Sequence, residues 1–217
     1  MPIQDQTPAL STFEDLRLWV PSRAPALDAK RVLDIAVSLT AILFLLPLLA
    51  LVSLAIVLDS RGPVLFCQRR HGRNGEVFGI LKFRSMHVLE DGDNVVQATA
   101  NDARIGRFLR SSSIDELPQL FNVLSGEMSL VGPRPHAIAH DEYYGARIPA
   151  YAQRQRVKPG ITGWAQVNGA RGETPELADM EKRIALDNWY VEHTTVTHDL
   201  LILLRTPLAV LSGRNAH

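Results

Sequence analysis

The chain has 217 residues, of which 23 are Lys or Arg and 23 are Asp or Glu. This length suits one domain of modest core with additional segments, and the balanced charge argues against a general nucleic-acid binder. The single cysteine, Cys67, excludes an internal disulfide and is typical of a small buried apolar side chain.

The first 27 residues are polar and include the acidic residues Asp5, Glu14 and Asp15. They contain no apolar centre, so they do not resemble a cleaved signal peptide. We interpret residues 1–27 as a flexible tail.

The first predicted element is the apolar segment 35–58, which has no charged side chain. A straight helix of this length would cross the roughly 30 Å hydrocarbon layer of a bilayer. However, basic residues flank both ends, although they normally mark the cytoplasmic end only. Pro47, near the middle, would also remove a helix hydrogen bond. The residues alone leave two paths open: a crossing helix, and a re-entrant helix that breaks at Pro47 and leaves by the face it entered.

Basic residues cluster directly after this segment. Residues 60–85 contain one acid, Glu76, and the basic residues Arg61, Arg69, Arg70, Arg73, Lys82 and Arg84. Such a cluster favours binding to an anionic lipid surface. Alternatively, these charges only fix the topology of the membrane segment. Lys82 and Arg84 are far enough from this segment in the sequence to belong to a functional site. We therefore predict that residues 28–60 enter the membrane and that residues 61–217 form a cytoplasmic domain against it.

Two short strands, residues 64–69 and 77–83, are predicted around the turn-forming run 71–75, which indicates a hairpin. Residues 91–94 form a predicted loop, and Asp102 would cap a helix that carries apolar residues from 105 to 109. A further helix has apolar residues at helical spacing from Leu117 to Leu124 and ends at Gly126.

The strongest candidate for chemistry is the adjacent pair Asp115 and Glu116 at the start of that helix. The positive potential there favours an ionised carboxylate, which could attack phosphorus or bind Mg²⁺ together with phosphate oxygens. The pair also fits a purely structural interpretation, because Ser113 and Glu116 have capping-box spacing. Pro118 opposes a regular cap, since it requires either a later helix start or an irregular first turn.

Basic side chains beside turns could bind a pyrophosphate group, for which the forked Arg side chain is well suited. They are Lys82, Arg84, Arg110, Arg134, Lys158 and Arg171. Each of them alone is equally explained as a solvated charge. His136 and His140 have the spacing of two zinc ligands on a helix, but no third ligand is specified.

The run 158–172 is rich in glycine and matches neither a Walker loop nor a dinucleotide fingerprint. We predict a loop from which Gln166, Asn168 and Arg171 project. Thr174 and Pro175 would then begin a helix that reaches about residue 193. The apolar segment 200–211 is too short and interrupted to cross a bilayer, so it lies either in the membrane interface or in the core.

Several longer motifs occur in the order of a known family. They are Lys82-Phe83-Arg84-Ser85-Met86, Asp115-Glu116-Leu117-Pro118-Gln119-Leu120, Val131-Gly132-Pro133-Arg134-Pro135, and Lys158-Pro159-Gly160-Ile161-Thr162-Gly163. Through these motifs, residues 28–208 resemble the bacterial sugar transferase family, the monotopic phosphoglycosyl transferases that start exopolysaccharide and O-antigen repeat units. The resemblance implies an α+β fold in which a re-entrant helix-break-helix, with Pro47 at the break, packs on a small, mainly helical cytoplasmic domain. A short β-hairpin and interfacial amphipathic helices would complete that domain at the bacterial inner membrane.

The resemblance also implies a reaction. Asp115 would attack the β-phosphate of a UDP-sugar and release UMP, and undecaprenyl phosphate would then take the sugar phosphate from the aspartyl intermediate. Glu116 would assist as the acid/base partner, and Mg²⁺ would bind at Asp115. Arg134 would contact phosphate, and the donor-site loop would contribute Gln166, Asn168 and Arg171.

The motif at residues 163–169, with residues 171–174, resembles the branch that transfers glucose 1-phosphate. Short relatives that lack an additional N-terminal membrane domain also transfer galactose 1-phosphate, so the sugar stays open. Two other hypotheses are a non-catalytic membrane scaffold for glycan enzymes and a phosphohydrolase with an aspartyl intermediate. The implied partners are a UDP-sugar, undecaprenyl phosphate and membrane lipid, without nucleic acid, and a homodimer is left open.

Overall fold

The computed structural model describes residues 28–59, 61–85, 104–172 and 174–211. The predicted tail 1–27, the predicted loop 91–94 and the predicted cap Asp102 lie outside these residues. Within them the chain mixes helices with two small sheets and begins with one long apolar helix. This agrees with the predicted α+β class.

Helix α1 (Ala29–Asp59) is the one described helix that is long and apolar enough to cross a membrane. Asp28 accepts a hydrogen bond from the Arg31 N–H at 2.7 Å and so caps its start. The helix includes Pro47 without interruption. Re-entry therefore stays a prediction, and it would have to arise from a bend at Pro47 rather than from a loop.

One face of α1 is buried against the rest of the protein along nearly the whole helix. The buried residues recur at helical spacing and are Arg31, Asp34, Ser38, Ile42, Leu49, Val52 and Ile56. Ile42 belongs to a core cluster with Phe78, Val123 and Ile202. The later residues of α1 join a second cluster with Phe83 and Leu109. Both ends of the helix thus pack on the same globular part.

Polar side chains fix the first turns of α1. Lys30 Nζ donates to Asp199 Oδ2 at 2.5 Å, and Asp199 is almost completely buried. The Arg31 guanidinium donates to the carbonyl oxygens of Val123 and Leu124, at the carboxyl end of a later helix. A cation at that end also interacts favourably with the helix dipole.

The predicted hairpin is confirmed: strand β1 (Leu65–His71) pairs antiparallel with strand β2 (Val77–Phe83), and Leu65 lies opposite Phe83. A short 3₁₀ turn, Arg73–Gly75, joins them. Asn74 in this turn has a φ of 56°, which Asn tolerates better than most residues. Helix α2 (Arg104–Ser111) follows the undescribed segment.

Helix α3 (Gln119–Ser125) ends at Gly126, as predicted, because Gly126 adopts a φ of 91°. Strand β3 (Ser129–Val131) pairs in parallel with strand β4 (Gly160–Thr162). Between them lie helix α4 (Ile138–Gly145) and a 3₁₀ segment, Tyr151–Arg156.

The prediction of an irregular loop over residues 158–172 is wrong, because this run contains β4 and the short helix α5 (Trp164–Val167). A Cβ on Gly160 would lie 2.1 Å from the Gly132 nitrogen. Glycine is therefore needed there for close contact between two backbones rather than for a flexible loop.

Two helices complete the chain. Helix α6 (Leu177–Glu192) begins after Glu176, whose N–H donates to the Asp179 carboxylate. The predicted start at Thr174 and Pro175 is therefore wrong, although the predicted end is confirmed. Helix α7 (Val196–Leu211) buries Ile202 in the core and exposes Leu204 and Leu208.

Candidate active site

The carboxylate pair lies in an irregular connection between α2 and α3. Ser113 adopts the left-handed conformation, with a φ of 58°, and its side chain makes no capping hydrogen bond. Ile114–Glu116 then form one 3₁₀ turn, and α3 begins only after Pro118. The capping-box alternative is therefore wrong. Both consequences considered for Pro118 are observed, since the first turn is irregular and α3 starts later.

Glu116 is held by two cations from separate elements. Arg134, in the segment after β3, donates from Nη1 to Oε2 at 2.9 Å and from Nη2 to Oε1. Lys82 of β2 donates to Oε1 at 3.0 Å. Burial alone would raise the pKa of Glu116, but Arg134 and Lys82 outweigh it and hold this pKa well below its usual range. Glu116 is thus ionised at neutral pH.

Asp115 has the opposite electrostatic environment. Its side chain is buried, and among the described residues it forms no ion pair. Burial and the neighbouring Glu116 charge raise the pKa of Asp115 to about 6, although Lys82 and Arg134 act in the opposite direction. At pH 7 most molecules therefore carry an ionised Asp115 with little solvent around it. Such a poorly solvated carboxylate is suited to act as a nucleophile.

An open cleft of about 160 Å³ lies next to Lys82 and Arg134, the two cations that bind Glu116. We call it the basic cleft. It is lined by Arg70, Ile80, Lys82, Gln119, Arg134, Pro135, His136, Ala137 and His140. These lining residues include no Asp or Glu, so the cleft is suited to bind an anion.

Of the six predicted cationic residues, three lie at or near the carboxylate pair. Lys82 and Arg134 meet at Glu116, and Arg171 reaches the same region, where it donates to Ser113 Oγ at 2.7 Å. Arg110 donates to the Ser85 carbonyl oxygen at 2.8 Å, close to the end of β2.

The remaining predicted residues have other surroundings. Burial lowers the pKa of Lys158, and the charged groups with the largest further effect on this pKa are Arg31 and Asp34 of α1. Arg84 donates to the Arg61 carbonyl oxygen at 2.8 Å, beyond the carboxyl end of α1. Two more make local contacts with backbone oxygens, Gln166 with Ile161 and Asn168 with Trp164. These contacts place none of the four beside the carboxylate pair.

The predicted zinc pair does not have the assumed helical geometry, because His136 precedes α4. Its Nδ1 lies 2.6 Å from the Tyr151 hydroxyl, which donates to Asp141 at 2.6 Å. Burial and the nearby Arg154 lower the pKa of His136 well below its usual value, so the ring is neutral. No group of three possible ligands from His, Cys, Asp and Glu occurs in the described parts of the chain.

A buried ionic layer supports the cleft and was not predicted from the sequence. Arg154 lies between two groups: its Nε donates to Asp187 Oδ2 at 3.0 Å, and its Nη2 donates to the Arg134 carbonyl oxygen. This contact fixes the backbone of the residue that holds Glu116. The cleft residues Arg70 and Gln119 were also missed, because Arg70 resembled a lipid-binding charge and Gln119 gave no local signal. His140 was singled out only as a possible zinc ligand.

The Mg²⁺ implied by the resemblance fits one of the two carboxylates. Mg²⁺ in phosphate-processing sites is bound by one or two carboxylates plus phosphate oxygens and water. Glu116 is occupied by Arg134 and Lys82, so Asp115 is the carboxylate of the pair that remains able to act as a ligand. The donor set thus fits a cation that is shared between Asp115 and the phosphates of a substrate.

Comparison with known proteins identifies similar chains. A model of the bacterial sugar transferase family matches residues 26–213. The chain is 53% identical over 191 residues to the UDP-glucose:undecaprenyl-phosphate glucose-1-phosphate transferase of Caulobacter vibrioides, covering 87% of this chain and 72% of that protein. It is 50% identical over 193 residues to the transferase of the same name from Xanthomonas campestris pv. campestris, covering 87% of this chain but 40% of that one.

A relative with another sugar in its name is less similar. This is the UDP-N-acetylgalactosamine-undecaprenyl-phosphate N-acetylgalactosaminephosphotransferase of Aeromonas hydrophila, which is 38% identical over 196 residues. The match covers 86% of this chain and 44% of that protein. The chain therefore spans less than half of the length of the Xanthomonas and Aeromonas relatives.

Proposed function

Since the chain belongs to the bacterial sugar transferase family, we propose that it transfers glucose 1-phosphate from UDP-glucose to undecaprenyl phosphate and releases UMP. The names of the more similar relatives support glucose over other sugars. The observation that carries the proposal is the position of Asp115, a buried carboxylate without an ion-pair partner among the described residues. It is adjacent to Glu116, whose cations Lys82 and Arg134 line an anion-binding cleft. The neighbouring Glu116, in contrast, already forms ion pairs with Arg134 and Lys82.

The proposed reaction has two displacement steps. In the first, an Asp115 carboxylate oxygen attacks the phosphorus that bears the sugar, and the bond from this phosphorus to the bridging oxygen breaks. UMP leaves with that oxygen and its electron pair. In the second, a phosphate oxygen of undecaprenyl phosphate attacks the same phosphorus, and the bond to Asp115 breaks. This restores the carboxylate and yields a lipid diphosphate sugar.

We assign Glu116 a supporting role rather than proton transfer. It is ionised and accepts three hydrogen bonds from Lys82 and Arg134, so it has no proton to donate at neutral pH. A phosphate leaving group is a stable anion and needs no general acid. Glu116 positions the two cations next to Asp115, and its charge helps to raise the pKa of Asp115.

Mg²⁺ bound at Asp115 would neutralise charge on the phosphate oxygens. Arg134 and Lys82 contribute positive charge in the same place, from positions that Glu116 and Arg154 hold fixed. Such fixed charges stabilise a phosphoryl-transfer transition state without having to reorganise.

The packing of α1 supports a monotopic position at the cytoplasmic face of the membrane. Its outer face exposes large apolar side chains, and Phe44, close to Pro47, is 83% exposed. Leu204 and Leu208 of α7 are also exposed, which supports contact of α7 with the membrane interface. This position would place the cleft near the lipid headgroups, where a water-soluble donor meets the phosphate of a lipid acceptor.

The proposal is tested by measuring UMP release by the full chain in lipid nanodiscs with Mg²⁺ and undecaprenyl phosphate. We expect UDP-glucose to be used in preference to UDP-galactose and UDP-N-acetylgalactosamine. Asp115→Asn should abolish UMP release. This change is isosteric and removes a buried charge, so the variant should remain folded by circular dichroism. UMP release by Asp115→Asn at the wild-type rate would contradict the nucleophile assignment. A non-catalytic scaffold would release no UMP, either as the wild type or as the variant.

A further inference from the structure

The cations beside Glu116 supply too little positive charge for a diphosphate donor. Lys82 and Arg134 carry two positive charges, and Glu116 cancels one of them. A sugar nucleotide has a phosphate that is transferred and a second that leaves with the nucleoside, and each carries negative charge. Beside the Mg²⁺ proposed at Asp115, a further cation that lines the cleft is therefore suited to bind the second phosphate.

Arg70 of β1 is a lining residue of the basic cleft that has the required charge. The β1 backbone at Arg70 forms an isolated antiparallel bridge with Ala137, three residues after Arg134. The Gln68 carboxamide oxygen, on the same face of the strand, accepts a hydrogen bond from the Arg70 guanidinium. These contacts hold Arg70 next to the segment that carries Arg134.

Arg69 provides a natural comparison with Arg70. Side chains at successive strand positions point to opposite faces, and Arg69 is exposed and is not among the residues that line the cleft. The two arginines therefore have the same charge and adjacent positions in β1. Of the two, Arg70 alone lines the cleft.

The stereochemistry of the two proposed steps connects the leaving nucleotide with the incoming lipid. In an in-line displacement, the nucleophile attacks opposite to the leaving group. Asp115 would thus attack opposite to UMP, and the lipid phosphate would later attack opposite to Asp115. The lipid phosphate must then occupy the place from which the phosphate of UMP has departed.

We propose that Arg70 forms a phosphate subsite in the basic cleft that binds, in turn, the phosphate of departing UMP and the phosphate of the polyprenyl acceptor. This inference rests on the proposed function, because it requires both half-reactions. It gives Arg70 a role in substrate binding that differs from a general attraction to anionic lipid.

The test compares Arg70→Gln with Arg69→Gln in the full chain in nanodiscs. The donor half-reaction is followed without acceptor, as exchange of labelled UMP into UDP-glucose, and UMP affinity is measured by calorimetry. The acceptor step is followed as the KM for undecaprenyl phosphate at saturating UDP-glucose. Loss of a charge-assisted hydrogen bond should weaken UMP binding and raise the acceptor KM by roughly tenfold or more in Arg70→Gln.

Arg69→Gln should leave both quantities within about twofold of wild type, since exposed charges contribute little. Arg70→Lys should recover part of the loss, because it restores the charge without the forked geometry. In the wild type, UMP should inhibit competitively against undecaprenyl phosphate.

Equal effects of the two Gln variants would overturn the subsite, because they would indicate a general lipid attraction. An effect of Arg70→Gln on only one of the two substrates would overturn the shared use. Absence of UMP exchange in the wild type would count against the proposed function itself. Calorimetry with UMP would then still decide whether Arg70 binds phosphate.

Discussion

At the scale of single residues, two neighbouring carboxylates have pKa values that move in opposite directions. Glu116 is stabilised as an anion by Arg134 and Lys82, whereas Asp115 is buried next to that anion. Paired carboxylates with such a difference commonly have different roles in one reaction. In the proposed reaction this difference separates the nucleophile, Asp115, from a residue that orients cations, Glu116.

The raised pKa of Asp115 predicts how transfer depends on pH. In the proposed reaction the ionised form attacks phosphorus, and without bound metal the pKa of Asp115 is about 6. We therefore expect kcat/KM for UDP-glucose to be nearly constant above pH 7 and to fall about tenfold per pH unit below pH 6. The measurement is initial UMP release from pH 5 to pH 8, at fixed Mg²⁺ and ionic strength.

A matched control separates ionisation of Asp115 from acid unfolding. Near-ultraviolet circular dichroism at pH 5 should show native tertiary structure, and activity should return fully when the sample is brought back to pH 7.5. A profile that stays flat down to pH 5 would mean that Asp115 has an ordinary pKa and that burial does not affect the nucleophile.

The sequence singled out the carboxylate pair as the candidate site, but not the surroundings of the pair. Asp115 and Glu116 were recognised from a local motif, and Lys82 and Arg134 from turn positions. Their meeting at Glu116 joins residues 34 and 18 positions apart. Lys158, which had similar local signals, lies near α1 instead. Local patterns identify candidate cations, whereas only tertiary contacts decide which of them reach the site.

At the scale of elements, Asn122 of α3 joins the helix to the hairpin. It is completely buried, and its Oδ1 accepts a hydrogen bond from the Leu81 N–H at 2.9 Å. Its Nδ2 donates to the Gly79 carbonyl oxygen at 2.7 Å. The side chain thus satisfies the free edge of β2, the strand that carries Lys82. It also sets the position of Lys82 relative to the segment of Glu116.

Replacement of Asn122 should therefore reduce both stability and activity. Asn122→Leu has similar volume but leaves the Leu81 N–H and the Gly79 carbonyl oxygen without partners. We expect a loss of about 2–4 kcal/mol in unfolding free energy, together with a lower kcat. The measurement is thermal unfolding in detergent with parallel UMP-release assays.

Asn168→Leu is the matched control for stability, since Asn168 is exposed and bonds only locally, to the Trp164 carbonyl oxygen. It should change the unfolding free energy by no more than about 0.5 kcal/mol. If Asn122→Leu were as stable as this control, the side chain would not be what attaches α3 to the hairpin.

Elements with strong local signals were predicted, and elements set by packing were not. The hairpin has turn residues between alternating strands, and α3 has apolar spacing and a terminal glycine. Strand β4 has only three residues, and it forms because Gly160 permits contact with Gly132. The start of α6 was placed too early because Thr174 and Pro175 resemble a helix start, whereas the observed start involves Glu176 and Asp179.

At the scale of the whole molecule, the packing of α1 bears on the two membrane paths that the sequence left open. Lys30 contacts Asp199 near the start of α1, and Ile56 packs with Phe83 and Leu109 near its end. If the helix crossed the bilayer, one of its ends would lie on the far side of the membrane, roughly 30 Å from the globular part that it contacts here. It would then either leave Asp199 unpaired or expose the second cluster, and a buried carboxylate that loses its partner is costly. The packing therefore favours the monotopic arrangement.

Cysteine labelling in intact cells tests this arrangement directly. With Cys67→Ser as background, Ala29→Cys and Arg61→Cys report the two ends of α1, and Phe44→Cys reports the region beside Pro47. A membrane-impermeant maleimide should label both end positions in inverted vesicles and neither of them in intact cells. Phe44→Cys should stay unlabelled in both preparations, because its side chain faces lipid. Labelling of the two ends from opposite sides would indicate a crossing helix, and the contacts of either Lys30 or Ile56 would then have to be broken in the membrane.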